Sequence, residues 1–301
     1  MNTNIELDAV SKRFGKKPAL RSISFSAGIG ITIVLGANGA GKSTLLRCID
    51  GLYRPDSGSV SVMGLDPYKD QQLKSRLALL ADSYGLYDFL SVTDNIIFFG
   101  RLYGMSKEES LSSAKPFLEE FDAVKYLNYK VGELSRGTKQ KIAFCRSVMN
   151  DPEVLLLDEP TAFLDTKASG SIRDYIIRNS RKKAVILVTQ KMDEVTRYNA
   201  RIMVIREGRL AADLDSERFY RTVLRNTEIS VRLAKPISAS AARRIRGFAG
   251  GNADEPSVVR IRIRNYYDVN SRLKELIGAG AMIVGVDYIE PAIEKLSFRR
   301  R

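Results

Sequence analysis

The fold of this 301-residue chain is decided by one stretch, Gly36-Ala37-Asn38-Gly39-Ala40-Gly41-Lys42-Ser43-Thr44. An apolar run at 31–35, typical of a buried strand, precedes it, and apolar residues with helical spacing follow at 45–49. The pattern G-x-x-x-x-G-K-[ST] between a strand and a helix predicts a phosphate-binding loop, because glycine lets successive amides point at phosphate oxygens and the helix N-terminus adds partial positive charge. We expect Lys42 to neutralise the β- and γ-phosphates of a nucleoside triphosphate and Ser43 to ligate Mg²⁺. The predicted nucleotide-binding residues of the stretch are Gly36, Asn38, Gly39, Ala40, Gly41, Lys42, Ser43 and Thr44.

Strands and helices alternate over most of the chain. Solidly apolar runs at 154–157, 184–188 and 202–205 are typical of strands that are covered on both faces. Such alternation predicts a mainly parallel α/β sheet with the phosphate loop at the carboxyl end of its strand. The predicted fold class is therefore an α/β P-loop NTPase core.

Three further regions depart from this alternation. The first forty residues have strand periodicity and predict an antiparallel β subdomain, whereas about 82–150 has helical periodicity and predicts a helical insert. Asp66–Leu80 is expected to be helical at first and then extended. After a linking helix at 216–226 the pattern becomes that of a small α+β domain, with helices at 240–248 and 291–298 and a loop at Gly250-Gly251. The predicted domains are 1–217, which binds nucleotide, and 218–301, which is accessory.

Composition sets limits on the class of protein. The chain carries a formal net charge of +13, which suits nucleic acid or anionic lipid, but basic residues scattered over solvated faces explain it better. No apolar run approaches the length that a bilayer requires, and no signal-peptide pattern begins the chain, so a cytosolic location is expected. The two cysteines lie far apart and histidine is absent, so neither a redox pair nor a cysteine–histidine metal site is expected.

Two acidic residues, Asp158 and Glu159, end the apolar run at 154–157. An acid at the tip of a neighbouring strand can hold Mg²⁺ through its water shell, and the next carboxylate can orient or deprotonate the attacking water. The alternative is a pair of solvated acids at a strand end. With a phosphate loop upstream, the catalytic interpretation is favoured.

A second anion-binding helix start is predicted at Ser135. Serine is a good N-cap, and the following glycine amide at Gly137 is free to meet an anion. One polypeptide would not obviously place this helix end on its own nucleotide.

The order of these motifs resembles that of ATP-binding cassette (ABC) ATPases over about residues 4–215. The LSxG at Leu134–Gly137, followed by LLLDEPT at Leu155–Thr161, is similar to the family signature. The resemblance implies a head-to-tail dimer in which the signature residues of one subunit, Leu134, Ser135, Arg136 and Gly137, close over the γ-phosphate held by the other. It also implies that Phe14 stacks on adenine, that Asp165 belongs to the D-loop, and that Glu159 is the catalytic carboxylate. The C-terminal part resembles the accessory domain of single-cassette bacterial exporters.

Three positions depart from the family pattern. Arg136 replaces a glycine of the signature, which leaves the serine and glycine amides in place. Asp82 stands where the family has a glutamine that ligates Mg²⁺, and a carboxylate could still do so. Gln190 replaces a histidine and can donate a neutral hydrogen bond but carries no positive charge. We therefore predict slow hydrolysis. The alternative, to which we give equal weight, is that glutamine is a workable substitute in a chain that has lost every histidine.

The expected function is the ATP-binding subunit of an ABC exporter, with ATP and Mg²⁺ as cofactors. Its expected partners are a separate permease, gripped by the helical insert, and a second cassette of the same or another chain. The permease would hold the subunit on the inner face of the cell membrane, with Tyr84, Leu86 and Tyr87 facing it while Phe98 and Phe99 lie at least partly in the core. The alternatives are a non-transport ABC ATPase acting on RNA, ribosomes or DNA, and a degenerate regulatory cassette, although nucleic acid is not the expected partner.

Overall fold

The computed structural model describes residues 5–82, 84–195, 197–224, 228–238, 241, 245–251, 257–263 and 266–289. The chain divides into two compact units, Met1–Asp213 and Leu214–Arg301. Within the described ranges, every helix is too short or too polar to traverse a lipid bilayer.

A six-stranded sheet forms the centre of the first unit, in the order β5-β6-β7-β3-β8-β9. The neighbours from β5 to β8 pair in parallel. Their apolar runs are almost wholly buried, because helices and loops cover both faces of the sheet. This arrangement confirms the predicted α/β core. The strands are β3 (Gly30–Leu35), β5 (Leu77–Leu80), β6 (Val154–Asp158), β7 (Ala184–Thr189), β8 (Arg201–Arg206) and β9 (Arg209–Asp215).

A second sheet is antiparallel, with the order β2-β1-β4, and its strands come from both sides of the first helix in the chain. Its strands alternate buried and exposed residues, as expected where one face meets the core and the other meets water. The three strands are β1 (Ile5–Phe14), β2 (Lys17–Ala27) and β4 (Ser57–Val62).

Helices α2, α3, α4 and α5 of the first unit begin at polar caps. Ser91, Ser106, Ser135 and Asp165 each accept a hydrogen bond from a backbone amide of the first turn, and Ser106 forms a full capping box with Glu109. The helices are α1 (Lys42–Ile49), α2 (Val92–Leu102), α3 (Lys107–Glu120), α4 (Arg136–Val148), α5 (Thr166–Asn179) and α6 (Met192–Val195).

Two local features of this unit differ from the predictions. The stretch predicted as a helix from Asp66 contains only a 3-10 turn at Gln72–Ser75 before β5, because a turn and not a helical face buries Leu73. Strand β9 was not predicted.

The second unit contains a four-stranded sheet in the order β11-β12-β10-β13, in which all described pairs are antiparallel. Its core includes Ile229, Val231, Ile261 and Leu276. The predicted loop at Gly250-Gly251 instead belongs to the edge strand β11. Much of the predicted helix at 240–248 and all of the one at 291–298 lie outside the described residues. The elements are α7 (Ser216–Leu224), β10 (Glu228–Leu233), β11 (Phe248–Gly251), β12 (Val258–Arg262), α8 (Tyr266–Gly278) and β13 (Ile283–Ile289).

Candidate nucleotide-binding site

The loop from Gly36 to Gly41, called here the glycine loop, joins the end of β3 to the start of α1. Gly41 has a φ of 107°, and a Cβ there would lie 2.4 Å from the carbonyl oxygen of Ala19. A Cβ on Gly36 would lie 2.5 Å from the carbonyl oxygen of Ile205. Only glycine fits these two positions, because any larger residue would collide with backbone that cannot move away.

The Lys42 side chain lies across the glycine loop and is only 7% exposed. Its Nζ donates hydrogen bonds to the carbonyl oxygens of Gly36, at 2.7 Å, and Ala37, at 2.9 Å. Burial lowers the pKa of Lys42, while the charges of Glu159 and Asp158 oppose that shift. The ammonium group is thus held at the mouth of the loop by partners that a phosphate can replace.

The structure brings most of the predicted nucleotide residues to one cavity of about 370 Å³. Of the predicted nucleotide-binding residues, Gly36 and Ala40 do not line it: Gly36 packs closely against the backbone of Ile205, and Ala40 is buried and accepts a hydrogen bond from the amide of Gly208. Three residues at the start of β2 line the cavity and were not predicted from the sequence. Their position just after Phe14 could have indicated that they lie near the base. The lining residues are Phe14, Lys17, Pro18, Ala19, Asn38, Gly39, Gly41, Lys42, Ser43, Thr44, Asp82, Asp158, Glu159 and Gln190.

Phe14 lies at the end of β1 and is 47% exposed. The edge of one ring meets the face of the other between Phe14 and Tyr53, with 5.3 Å between centroids. An aromatic ring that is fixed on one side and open on the other is suited to stacking against a flat base.

Asp158 ends β6 with a carboxylate that is almost fully buried. Burial raises its pKa, a hydrogen bond from Ser43 lowers it, and the charge of Asp82 raises it further. These three side chains supply the oxygen ligands that a hard divalent cation prefers. Among the described residues no group of three or more acidic, cysteine or histidine side chains forms a metal cage. The donor set therefore fits Mg²⁺ held mostly by nucleotide phosphates and by Ser43, Asp158 and Asp82.

Glu159 adopts a φ of 48°, an uncommon value for a residue with a Cβ. Its amide donates to the carbonyl oxygen of Val188, while its carboxylate accepts bonds from the amide of Gln190, at 2.8 Å, and the hydroxyl of Thr189, at 3.1 Å. Burial raises the pKa of Glu159, and these two bonds lower it. The strained backbone and the two donors from the end of β7 fix the direction of this carboxylate.

The signature residues lie elsewhere, at the N-terminus of α4. Ser135 caps this helix by accepting a hydrogen bond from the amide of Thr138. Leu134 precedes the cap, with its amide bonded to the carbonyl oxygen of Val131. A second cavity opens here, and among the described liners it shares none with the first. Its lining residues are Ser135, Arg136, Gly137, Thr138, Lys141, Phe163, Leu164 and Asp165.

Two contacts join α4 to the segment after Glu159. The Arg136 guanidinium lies 5.4 Å from the ring centroid of Phe163, and Lys141 pairs with Asp165 at 3.1 Å. A Cβ on Gly137 would lie 2.7 Å from the carbonyl oxygen of Phe163. Close packing thus requires glycine at this signature position.

Aromatic side chains cluster where the segment after β5 meets α2. Tyr87 packs against Phe98, at 5.0 Å between centroids, and against Phe99, at 5.9 Å. Tyr87, Phe98 and especially Phe89 are exposed, whereas Tyr84, Leu86 and Phe99 are half-buried. An apolar surface of this kind is typical of a protein interaction site.

Comparison with known proteins identifies a family. The family model described as ABC transporter matches residues 20–162. The chain is 35% identical over 212 residues to the ABC transporter ATP-binding protein NatA of Bacillus subtilis, covering 68% of this chain and 86% of that one. It is 36% identical over 212 residues to the Nod factor export ATP-binding protein I of Burkholderia lata, covering 69% and 70%.

Solved structures share the fold. One, the structure of an ATP-binding subunit of an ABC transporter, has a TM-score of 0.67 and 24% identity and covers 73% of this chain and 92% of that one. Another is a dimeric ATP-binding cassette in a post-hydrolysis state bound to ADP and Pi, with a TM-score of 0.63 and 22% identity, covering 70% and 98%.

Proposed function

We propose that this chain, which belongs to the ABC transporter family as an ATP-binding and ATP-hydrolysing subunit, binds MgATP in the glycine-loop cavity. The signature residues of a second cassette then complete the binding site around the nucleotide. One observation supports this most directly: the two anion-binding helix starts of the chain, at Lys42 and Ser135, line separate cavities. Each cavity supplies only half of the groups that bind a triphosphate. A head-to-tail pair of subunits supplies both halves to each nucleotide.

The residues of the first cavity have distinct roles in this proposal. Phe14 stacks on the base, and the glycine-loop amides and Lys42 bind the β- and γ-phosphates. Ser43, Asp158 and Asp82 hold Mg²⁺, which supplies charge neutralisation at the phosphate oxygens when bound. Thr44 and Asn38 complete the wall around the phosphates.

Glu159 is the proposed general base. Its carboxylate is aimed by Gln190 and Thr189, so it can orient a water molecule and accept its proton as the water attacks the γ-phosphorus. Burial, which raises the pKa of this carboxyl group, makes it a stronger base than a solvated glutamate. Gln190 lines the same cavity but brings no positive charge, so we propose that turnover is slow.

The signature residues act on the partner's nucleotide. Ser135 and the Gly137 amide lie at the N-terminus of a 13-residue helix, whose dipole favours an anion. Asp165 caps the neighbouring helix α5 and pairs with Lys141. We propose that the contacts of Asp165 and Arg136 hold the signature surface in the conformation that binds the second subunit.

We further propose that the dimer drives export through a separate permease. NatA-like and Nod factor export proteins are the named relatives, and the exposed Tyr87 surface offers an apolar docking site for a permease segment. The subunit would then work at the cytoplasmic face of the membrane, held there by its permease.

The decisive test uses Glu159→Gln, which preserves the side-chain volume but cannot take a proton. We expect this variant to bind ATP, to lose hydrolysis by roughly 10²–10⁴-fold, and to form an ATP-dependent dimer in light-scattering measurements. The control, Glu159→Gln with Ser135→Arg, should bind ATP but stay monomeric. Failure of the single variant to bind ATP, or a dimer that ignores both ATP and Ser135→Arg, would refute the proposal.

A further inference from the structure

An ion pair joins the first helix to the wall of the nucleotide cavity. Arg47 lies in the last turn of α1, and its Nη2 is 2.7 Å from Oδ1 of Asp82. The Asp82 side chain is 58% exposed and that of Arg47 only 24%. Asp82 lines the cavity beside Ser43 and Asp158, so the pair lies at the edge of the place proposed for Mg²⁺.

Arg47 also has a second anchor. Its guanidinium carbon lies 5.7 Å from the ring centroid of Tyr53, and the amide of Tyr53 donates to the carbonyl oxygen of Arg47 at 3.0 Å. Tyr53 in turn packs against Phe14, the ring proposed to meet the base. Because of this aromatic contact, the guanidinium would keep its place if Asp82 moved away.

The charges of the pair reach the other carboxylate of the cavity. The negative charge of Asp82 raises the pKa of Asp158, and the positive charge of Arg47 lowers it. Unbalanced, Asp82 would repel both Asp158 and the phosphates of a nucleotide. Arg47 offsets part of this repulsion. A divalent cation bound to the phosphates would remove it more strongly.

We propose that Arg47 is a positioning residue that pairs with the Asp82 carboxylate while the cavity holds no nucleotide. When the metal–nucleotide complex binds, Asp82 exchanges Arg47 for the divalent cation. This rests on the proposed function of the cavity. It predicts that Arg47 governs how much the affinity for nucleotide depends on metal. A salt bridge with only a structural role would change stability and leave that dependence alone.

The test measures the dissociation constant of a fluorescent ATP analogue with excess EDTA and with Mg²⁺. We expect Arg47→Met to weaken metal-free binding on the order of tenfold, since Asp82 then repels the phosphates, while binding with Mg²⁺ changes less than about twofold. Asp82→Asn should reduce the advantage that Mg²⁺ confers. The double variant should match Asp82→Asn, because Arg47 acts through Asp82.

The matched control is Arg76→Met. Arg76 also pairs with a carboxylate, that of Glu153, at 2.6 and 3.0 Å, but it precedes β5 whereas Asp82 follows it. We expect this variant to leave both dissociation constants unchanged.

A spectroscopic readout tests the exchange itself. With Mn²⁺ in place of Mg²⁺, water-proton relaxation of the nucleotide complex should report about one more metal-bound water in Asp82→Ala, which has no ligand atom, than in the wild type, and no extra water in Arg47→Met. An equal rise of both dissociation constants in Arg47→Met, or an unchanged water count in Asp82→Ala, would overturn the inference while leaving nucleotide binding intact. A wild-type chain that binds no nucleotide under either condition would instead overturn the proposed function.

Discussion

The backbone amide of Gln190 donates a 2.8 Å hydrogen bond to Oε1 of Glu159. The bond comes from the main chain, so it does not depend on which side chain occupies position 190. The Gln190 side chain itself is exposed at the wall of the nucleotide cavity. A substitution at position 190 can therefore change the side chain beside the nucleotide while the orientation of the Glu159 carboxylate is kept.

The first prediction concerns that side chain. Gln190→His should raise the rate of ATP hydrolysis, roughly 10²-fold, because an imidazolium adds positive charge beside the γ-phosphate while the bond to Glu159 is kept. Phosphate release measured between pH 5.5 and 8.5 should show a new limb near the ordinary histidine pKa of about 6.5 in this variant alone.

Gln190→Ala is the control, since it keeps the same backbone bond and removes the side chain. It should hydrolyse ATP no faster than the wild type. If the wild type is already fast and Gln190→His leaves its rate unchanged, glutamine is a workable substitute for histidine and the weakened-site hypothesis is wrong.

A second prediction compares two helical glycines. Gly137→Ala should lower the hydrolysis rate by roughly 10²-fold, because its Cβ would push the carbonyl of Phe163 away and disturb the surface offered to the partner's nucleotide. ATP affinity of the monomer should not change, since Gly137 does not line the first cavity. Gly170→Ala, where a Cβ has nothing within 4 Å, should keep activity and raise the free energy of unfolding by about 0.4–1 kcal/mol. Equal activities of the two variants would contradict the role given to Gly137.

A third prediction concerns the exposed aromatic surface. Tyr87→Asp should abolish co-purification with the permease, because a charge at the centre of an apolar contact is costly to desolvate, while ATP affinity stays the same. Tyr129→Asp is a suitable control, since Tyr129 is 51% exposed and its ring packs against that of Tyr126. Unchanged recovery of the permease with Tyr87→Asp would exclude this surface as the docking site.

A fourth prediction concerns pH and stability. Burial raises the pKa of Asp50 to about 6, although Lys74 and Arg146 partly offset the effect. The folded chain therefore binds this proton more tightly than the unfolded chain, whose pKa is 3.8. The resulting stability is fully present below pH 3.8 and is lost as the pH rises through about 6.

Asp50→Asn should therefore increase the free energy of unfolding at pH 8 by about 1–3 kcal/mol, with the gain shrinking toward pH 4. Urea titrations at several pH values would measure this change. A destabilised variant at pH 8 would mean that the ion pairing of Asp50 outweighs its burial.

The sequence by itself determined the parts of this protein that depend on neighbours in the chain. The glycine loop needs a strand, six residues and a helix start in succession, and each of these has a local signal. Apolar runs predicted the buried strands β6 and β7, and cap chemistry predicted the helix that begins after Ser135. The same locality explains the errors: the extent of β9 and β11 depends on pairing with distant strands, which a short window cannot show.

Only the tertiary structure decided which of these local elements meet. Crossover connections place β6 beside β7, so that Glu159 receives its hydrogen bonds from residues 30 or more positions away, and α1 faces the end of β5, so that Arg47 reaches Asp82. It also placed the glycine loop and the serine-capped start of α4 in different cavities. The physical reason is that burial of the apolar strand faces selects one packing of the whole chain, and polar contacts between remote residues follow from that packing.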